Sequence, residues 1–199
     1  MDAVYYLNLA HRPDRRAWTE AELAALGWRG RRIEAVSTPE RGALGCALSH
    51  AAALATFLAD PAARHALVLE DDIAFTRDPR PDLERFLHAH PSPDDWDVLM
   101  LASNTVLEEP HPTLPFLTRI LDAQTTSAYA VSRPFALTLY RAFLASASLL
   151  AEGLRPEHCC DMRWKQLQPE SRWFCLSPKA ALQRPDYSDI ERRNVHYGV

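Results

Sequence analysis

The chain predicts an α/β fold, a central sheet with helices on its faces. Short apolar runs alternate with helix-patterned stretches along most of the length, the signature of strands covered by helices. The helical stretches end at recognisable stops. At 199 residues, 47% hydrophobic and 24% charged, the chain is the size of one domain spanning 1–199, large enough to fold without a disulfide or a structural metal.

Strands are expected at Ala3 to Leu7, Ile33 to Val36, Ala66 to Leu69, Val98 to Leu101 and Ser127 to Val131. Helices are expected at Ala17 to Leu26 before Gly27, Leu44 to Leu58 before Asp60-Pro61, and Leu83 to Ala89. This βαβ alternation implies parallel strand order in the first half. Ser132-Arg133-Pro134 offers a capping residue and a first-turn proline for a helix to about Leu150, and a further helix is expected over Glu157 to Leu167. The proline-rich stretch Glu108 to Pro115 reads as a loop over the sheet.

The net charge of −4 argues against nucleic acid as a partner. Arg29, Arg31 and Arg32 form a small basic cluster, which reads as a solvated turn. Cys46, Cys159, Cys160 and Cys175 lack paired zinc-site spacing and read as reduced thiols. Asp2 before the first strand is unlike the basic start of a signal peptide, and no apolar run is expected to approach 18 residues. A cytoplasmic protein with at most peripheral membrane contact is therefore expected.

The chemistry is expected at Glu70-Asp71-Asp72, three consecutive carboxylates at the end of an apolar strand, where open α/β sheets bind ligands. Three adjacent acids repel one another, and a hard divalent ion relieves the conflict. Because alternate residues of an extended chain share a face, Glu70 and Asp72 are expected at one site with Asp71 turned aside. A solvated turn is the alternative reading of the same run. Arg12 and Arg15, in the loop after the first strand, suit nucleotide phosphates or a base, since the guanidinium fork matches phosphate oxygens. The glycines of Gly42-Ala43-Leu44-Gly45-Cys46-Ala47-Leu48-Ser49-His50 permit a tight turn and a close helix approach. Taken alone, His50 reads as a satisfied core residue.

Four ordered segments together resemble glycosyltransferase family 25, which contains lipopolysaccharide and collagen galactosyltransferases. They are Tyr6-Leu7-Asn8-Leu9 with Arg12, Asp14 and Arg15; Gly45 to His50; Leu67 to Asp72; and Gln183-Arg184-Pro185-Asp186-Tyr187-Ser188-Asp189-Ile190-Glu191. The resemblance implies a GT-A-type, Rossmann-like sheet, a UDP-galactose or UDP-glucose donor, a manganese or magnesium ion, and inversion at the sugar carbon. It places Asn8, Arg12, Arg15, Ser49, His50, Glu70, Asp71 and Ser188 against the donor. Glu70 and Asp72 would take the D-x-D role on the metal, with His196 as a further ligand. Asp161, in a late segment similar to a helix of the family, is the candidate base, and Asp189 is the second choice. The acceptor would be a glycan, lipid-linked or peptide hydroxyl, such as a cell-surface glycan or lipooligosaccharide precursor. Many bacterial members look longer, so the acceptor-binding portion is expected to be reduced. Two rival readings remain: a metal-dependent nucleotidyltransferase using the same carboxylates, and a non-catalytic nucleotide-sugar-binding module.

Overall fold

A computed structural model describes residues 1–191 and 193–196. In chain order it has β1 (Ala3–Asn8), α1 (Pro13–Ala25), β2 (Arg31–Glu34), α2 (Gly42–Ala59), β3 (His65–Glu70), β4 (Ile73–Phe75), α3 (Arg80–Ala89) and β5 (Val98–Met100). There follow β6 (Asn104–Pro110), β7 (Leu117–Gln124), β8 (Ala128–Ser132), α4 (Arg133–Glu152), α5 (Cys160–Trp164), β9 (Trp173–Leu176), β10 (Ala181–Gln183), β11 (Asp186–Ser188) and β12 (Arg193–Val195).

Eight strands form one mixed sheet in the order β2-β1-β3-β8-β5-β9-β7-β6. β1 pairs in parallel with both β2 and β3, so the expected parallel first half is present. β8 then runs antiparallel between β3 and β5. Side chains alternate across the sheet as the pleat requires. Tyr5, Leu7, Val68, Tyr129 and Val131 face one core with residues of α2, α4 and α5. Val4, Tyr6, Leu67, Leu69 and Ala130 face the other with Leu23 of α1 and Leu83 and Phe86 of α3.

Several expectations are corrected. Of the stretch Glu108 to Pro115 read as loop, 111–115 is loop, but Glu108 to Pro110 belong to the edge strand β6, paired antiparallel with β7; its mostly exposed side chains hide it from a hydrophobic-pattern reading. The strands β4, β7 and β9 to β12 were also not foreseen; most have only three or four residues, too few to show a period. The expected helix over 157–167 is broken into a 3-10 turn at Pro156–His158, α5, and a second turn at Lys165–Leu167, because Cys159 adopts an extended ψ of 149°. Ser132 sits at the N-cap position of α4 but its hydroxyl makes no cap bond.

A further correction concerns α2, which is 18 residues long, uncharged, and apolar enough by composition to cross a membrane, as is α4. Its apolarity has a local cause: α2 lies between the sheet and α4 and buries Ala47, Ala51, Ala53, Leu54 and Phe57. Its orphan C-terminal carbonyls are met by Arg133, whose guanidinium donates to Asp60 O at 2.7 Å and to Leu58 O and Ala63 O at 2.9 Å. At the N-terminal end, a Cβ on Gly45 would collide with the Val36 carbonyl and the Thr38 hydroxyl, so only glycine lets α2 approach the chain leaving β2. That approach forms one wall of the cleft described next.

Candidate active site

A cleft of about 510 Å3 opens at the carboxyl ends of β1, β2 and β3. Its walls come from Asn8 to His11, Ala35 to Pro39, the start of α2, the acid run Glu70 to Asp72, and the C-terminal segment 183–190. The parallel registers Leu7↔Glu70 and Asn8↔Glu34 bring these strand ends level, where an open α/β sheet leaves room for a ligand.

The acid run divides into two environments. On one side, Arg15 Nη1 donates to Asp71 Oδ1 and to Asp72 Oδ2, both at 3.0 Å. Arg15 Nε reaches Asp186 Oδ2 at 3.2 Å and its Nη2 donates to the Tyr187 carbonyl at 3.0 Å. Asn8 Nδ2 donates to Asp71 Oδ2 at 2.7 Å, and Gln183 Nε2 to Asp72 Oδ2 at 3.1 Å. Asp72 Oδ1, by contrast, is buried and makes no hydrogen bond. Burial first, then the Glu70 charge, push the Asp72 carboxyl up to about 7 against the opposing pull of Arg15. On the other side, Glu70 Oε1 accepts from the Thr126 hydroxyl at 2.6 Å and lies 3.2 Å from His50 Nε2. Burial alone would raise Glu70, but the hydrogen bonds from His50 and Thr126 hold it below the ordinary carboxylate value.

This departs from the expected alternation. Asp71 and Asp72 share one guanidinium while Glu70 turns away, because β3 ends at Glu70 and the two-residue period ends with it. The repulsion within the run is relieved by the chain's own Arg15 rather than only by an ion from outside. Arg12 is engaged likewise: it donates to Asp189 Oδ2 at 2.6 Å, Asp14 Oδ2 at 2.9 Å and Asp186 Oδ2 at 3.3 Å. Arg12 and Arg15 therefore tie the start of α1 to the C-terminal segment, with their donors spent on carboxylates and carbonyls.

The remaining candidates fall at different distances from the cleft. Ser49 lines it, but its hydroxyl donates to Gly45 O at 2.6 Å and accepts from Val36 N at 2.8 Å, which fixes the cleft wall. Ser188 also lines it and accepts from Glu191 N at 3.1 Å. His50 is fully buried behind Glu70, with Nδ1 3.2 Å from the Tyr129 hydroxyl. Asp161, in the first turn of α5, lies outside the cleft lining; burial raises its carboxyl, the Thr125 backbone N–H opposes this, and Glu70 adds to the rise. His196 is exposed just past β12.

Sequence reasoning missed Thr126, Tyr129, Gln183 and Asp186. The last two lie in the segment 183–191 that carried the family resemblance, so that segment was flagged without its individual roles. Thr126 follows Thr125, a β-branched residue at φ 78°, a strained turn that no sequence pattern announces.

No protein-family model matches the chain, and no curated protein matches it significantly. Among solved structures it is similar to a glycosyltransferase involved in the glycosylation of the major capsid of PBCV-1, with a TM-score of 0.54 and 13% identity over 96% of this chain and 95% of that one. It is also similar to A197 from STIV, with a TM-score of 0.53 and 12% identity over 98% and 93% of the two chains. At such identities the likeness speaks to fold, and the chain has the GT-A-type α/β fold expected of it.

Proposed function

We propose that this chain is a glycosyltransferase that moves galactose or glucose from a UDP-sugar to a hydroxyl acceptor with inversion, assisted by manganese or magnesium. The observation that carries the reading is Asp72 Oδ1, a buried carboxylate oxygen without a hydrogen bond at a nucleotide-sized cleft beyond the strand ends. Such an atom is costly unless a cation or donor reaches it. A magnesium-class ion is held by one or two carboxylates, with phosphate oxygens and water completing its shell, and Asp72 fits that demand. When bound, the ion would offset charge growing on the departing diphosphate. The fold shared with a glycosyltransferase and the four segments similar to family 25 favour a sugar nucleotide over other diphosphates.

Within this reading, Arg12 and Arg15 hold the segment 186–189 against the acid run, giving the donor a preformed floor. Asp161 is assigned the acceptor's proton on the resemblance of its segment to a helix of the family, which requires the acceptor to reach α5 beyond the cleft lining. Asp189, at 2.6 Å from Arg12 Nη1, is the weaker choice. The acceptor is a glycan, lipid-linked or peptide hydroxyl met in the cytoplasm or at the inner face of a membrane.

The purified protein is to be assayed with a panel of UDP-sugars, with manganese and with chelator. The expected result is metal-dependent release of UDP, reduced at least about a hundredfold in Asp72→Asn. Pyrophosphate formation from UTP and a sugar phosphate would move the chain to the nucleotidyltransferases. Equal UDP-sugar affinity in chelator and manganese would remove the metal.

A further inference from the structure

Behind the Glu70 side of the cleft lies a second set of donors that the transfer reaction does not use. Cys46 and His50 are one helical turn apart on α2, so their side chains share a face. Glu70, at the end of β3, meets that face. One ligand atom from each of Cys46, His50 and Glu70 lies within 4.8 Å of the others. Cys160, which opens α5, adds a fourth: its Sγ is 3.8 Å from Cys46 Sγ. Two thiolates on one tetrahedral zinc at Zn–S ~2.3 Å stand about 3.8 Å apart.

The surrounding hydrogen bonds suit a metal site as well. The Tyr129 hydroxyl lies 3.2 Å from His50 Nδ1, where it orients the ring and leaves Nε2 for the ion. The Thr126 hydroxyl donates to Glu70 Oε1 at 2.6 Å and orients the carboxylate. Cys46 and Glu70 line the open cleft, which provides an entry path.

We propose that Cys46, His50 and Glu70, joined by Cys160, bind a zinc-class divalent cation at a site separate from the Asp72 oxygen. Thiolate and imidazole select a softer ion than magnesium or manganese. The ion displaces the thiol protons and the proton on His50 Nε2, and the ring takes the tautomer with its proton on Nδ1, donated to the Tyr129 oxygen. Occupied, the site ties α2 and α5 to the end of β3. Its existence does not depend on the sugar-transfer reading.

The test is titration of the reduced, metal-free protein with cobalt(II), followed by displacement with zinc. One equivalent is expected to give a thiolate-to-cobalt charge-transfer absorption that zinc abolishes. The double variant Cys46→Ser/Cys160→Ser is expected to lose that absorption, and Tyr129→Phe to weaken cobalt binding at least about tenfold. Asp72→Asn is expected to keep the cobalt absorption while losing manganese-dependent UDP binding, so the two sites fail separately. Absence of a charge-transfer band in the folded wild type overturns the site, as does a band that survives in Cys46→Ser/Cys160→Ser.

Discussion

Asp72 and Glu70 are two residues apart in one acid run, yet they titrate in opposite directions. Asp72 is pushed up to about 7, whereas Glu70 is held below the ordinary carboxylate value. Both are largely withdrawn from water, so burial does not separate them. What differs is how many donors reach each group. Glu70 Oε1 receives a hydroxyl and faces an imidazole, while Asp72 keeps one oxygen with no partner and shares Arg15 with Asp71. An unmet buried acceptor invites a ligand; a met one is held in place by its donors.

The largest expected effect breaks the arginine side. Arg15→Ala leaves Asp71 and Asp72 buried without a counter-charge and cuts the ties to Asp186 and the Tyr187 carbonyl. Urea unfolding is expected to show a loss of about 3–5 kcal/mol. Adding Asp72→Asn should recover part of it, and strict additivity of the two changes would disprove the clasp. The sequence reading set Arg15 against nucleotide phosphates or a base; in the fold its donors go to three carboxylates and a carbonyl.

On the Glu70 side, Asp161→Asn is expected to lower turnover about a hundredfold, near 2.7 kcal/mol in barrier, with donor affinity close to wild type. An unchanged rate would transfer the base role to Asp189. A smaller effect is expected from Thr126→Val, which removes the 2.6 Å bond to Glu70. It should cost about 1.5 kcal/mol of stability and move the Glu70 carboxyl up toward its ordinary value, as carbon-detected NMR titration can read. If Glu70 does not move, His50 alone sets its ionisation.

A last effect sharpens the contrast through pH. Asp72 has its folded pKa raised from the ordinary 3.8 to about 7, so the folded state holds this proton more tightly than the unfolded chain. Its contribution to stability is fully present below about pH 4 and is lost as pH rises toward 7, at no more than about 1.4 kcal/mol per pH unit. Asp72→Asn should therefore gain on wild type as pH rises from 4 to 7 in metal-free buffer. A constant gap in melting temperature across that window would refute the raised value.

Much of this was legible in the sequence. Apolar runs at Ala3 to Leu7 and Ala66 to Leu69 announce β1 and β3 because buried parallel strands need continuous hydrophobicity. The acid run marks the cleft because the carboxyl end of a buried strand is where an open α/β sheet leaves room for a ligand. The edge strand β6 left no such mark, since its exposed side chains carry no core pattern. The broken helix after Cys159 turns on a single backbone angle.

The sequence by itself determined the α/β class, the parallel first half and the place of the acid run, all consequences of local hydrophobic pattern and chain order. Only the tertiary structure decided which partner each charged group received. Arg15 meets Asp186 across 171 positions, and Cys46 meets Cys160 across 114. No local pattern encodes such pairs, because they exist only once the sheet has brought α1, α2, α5 and the C-terminal segment to the same end of the strands.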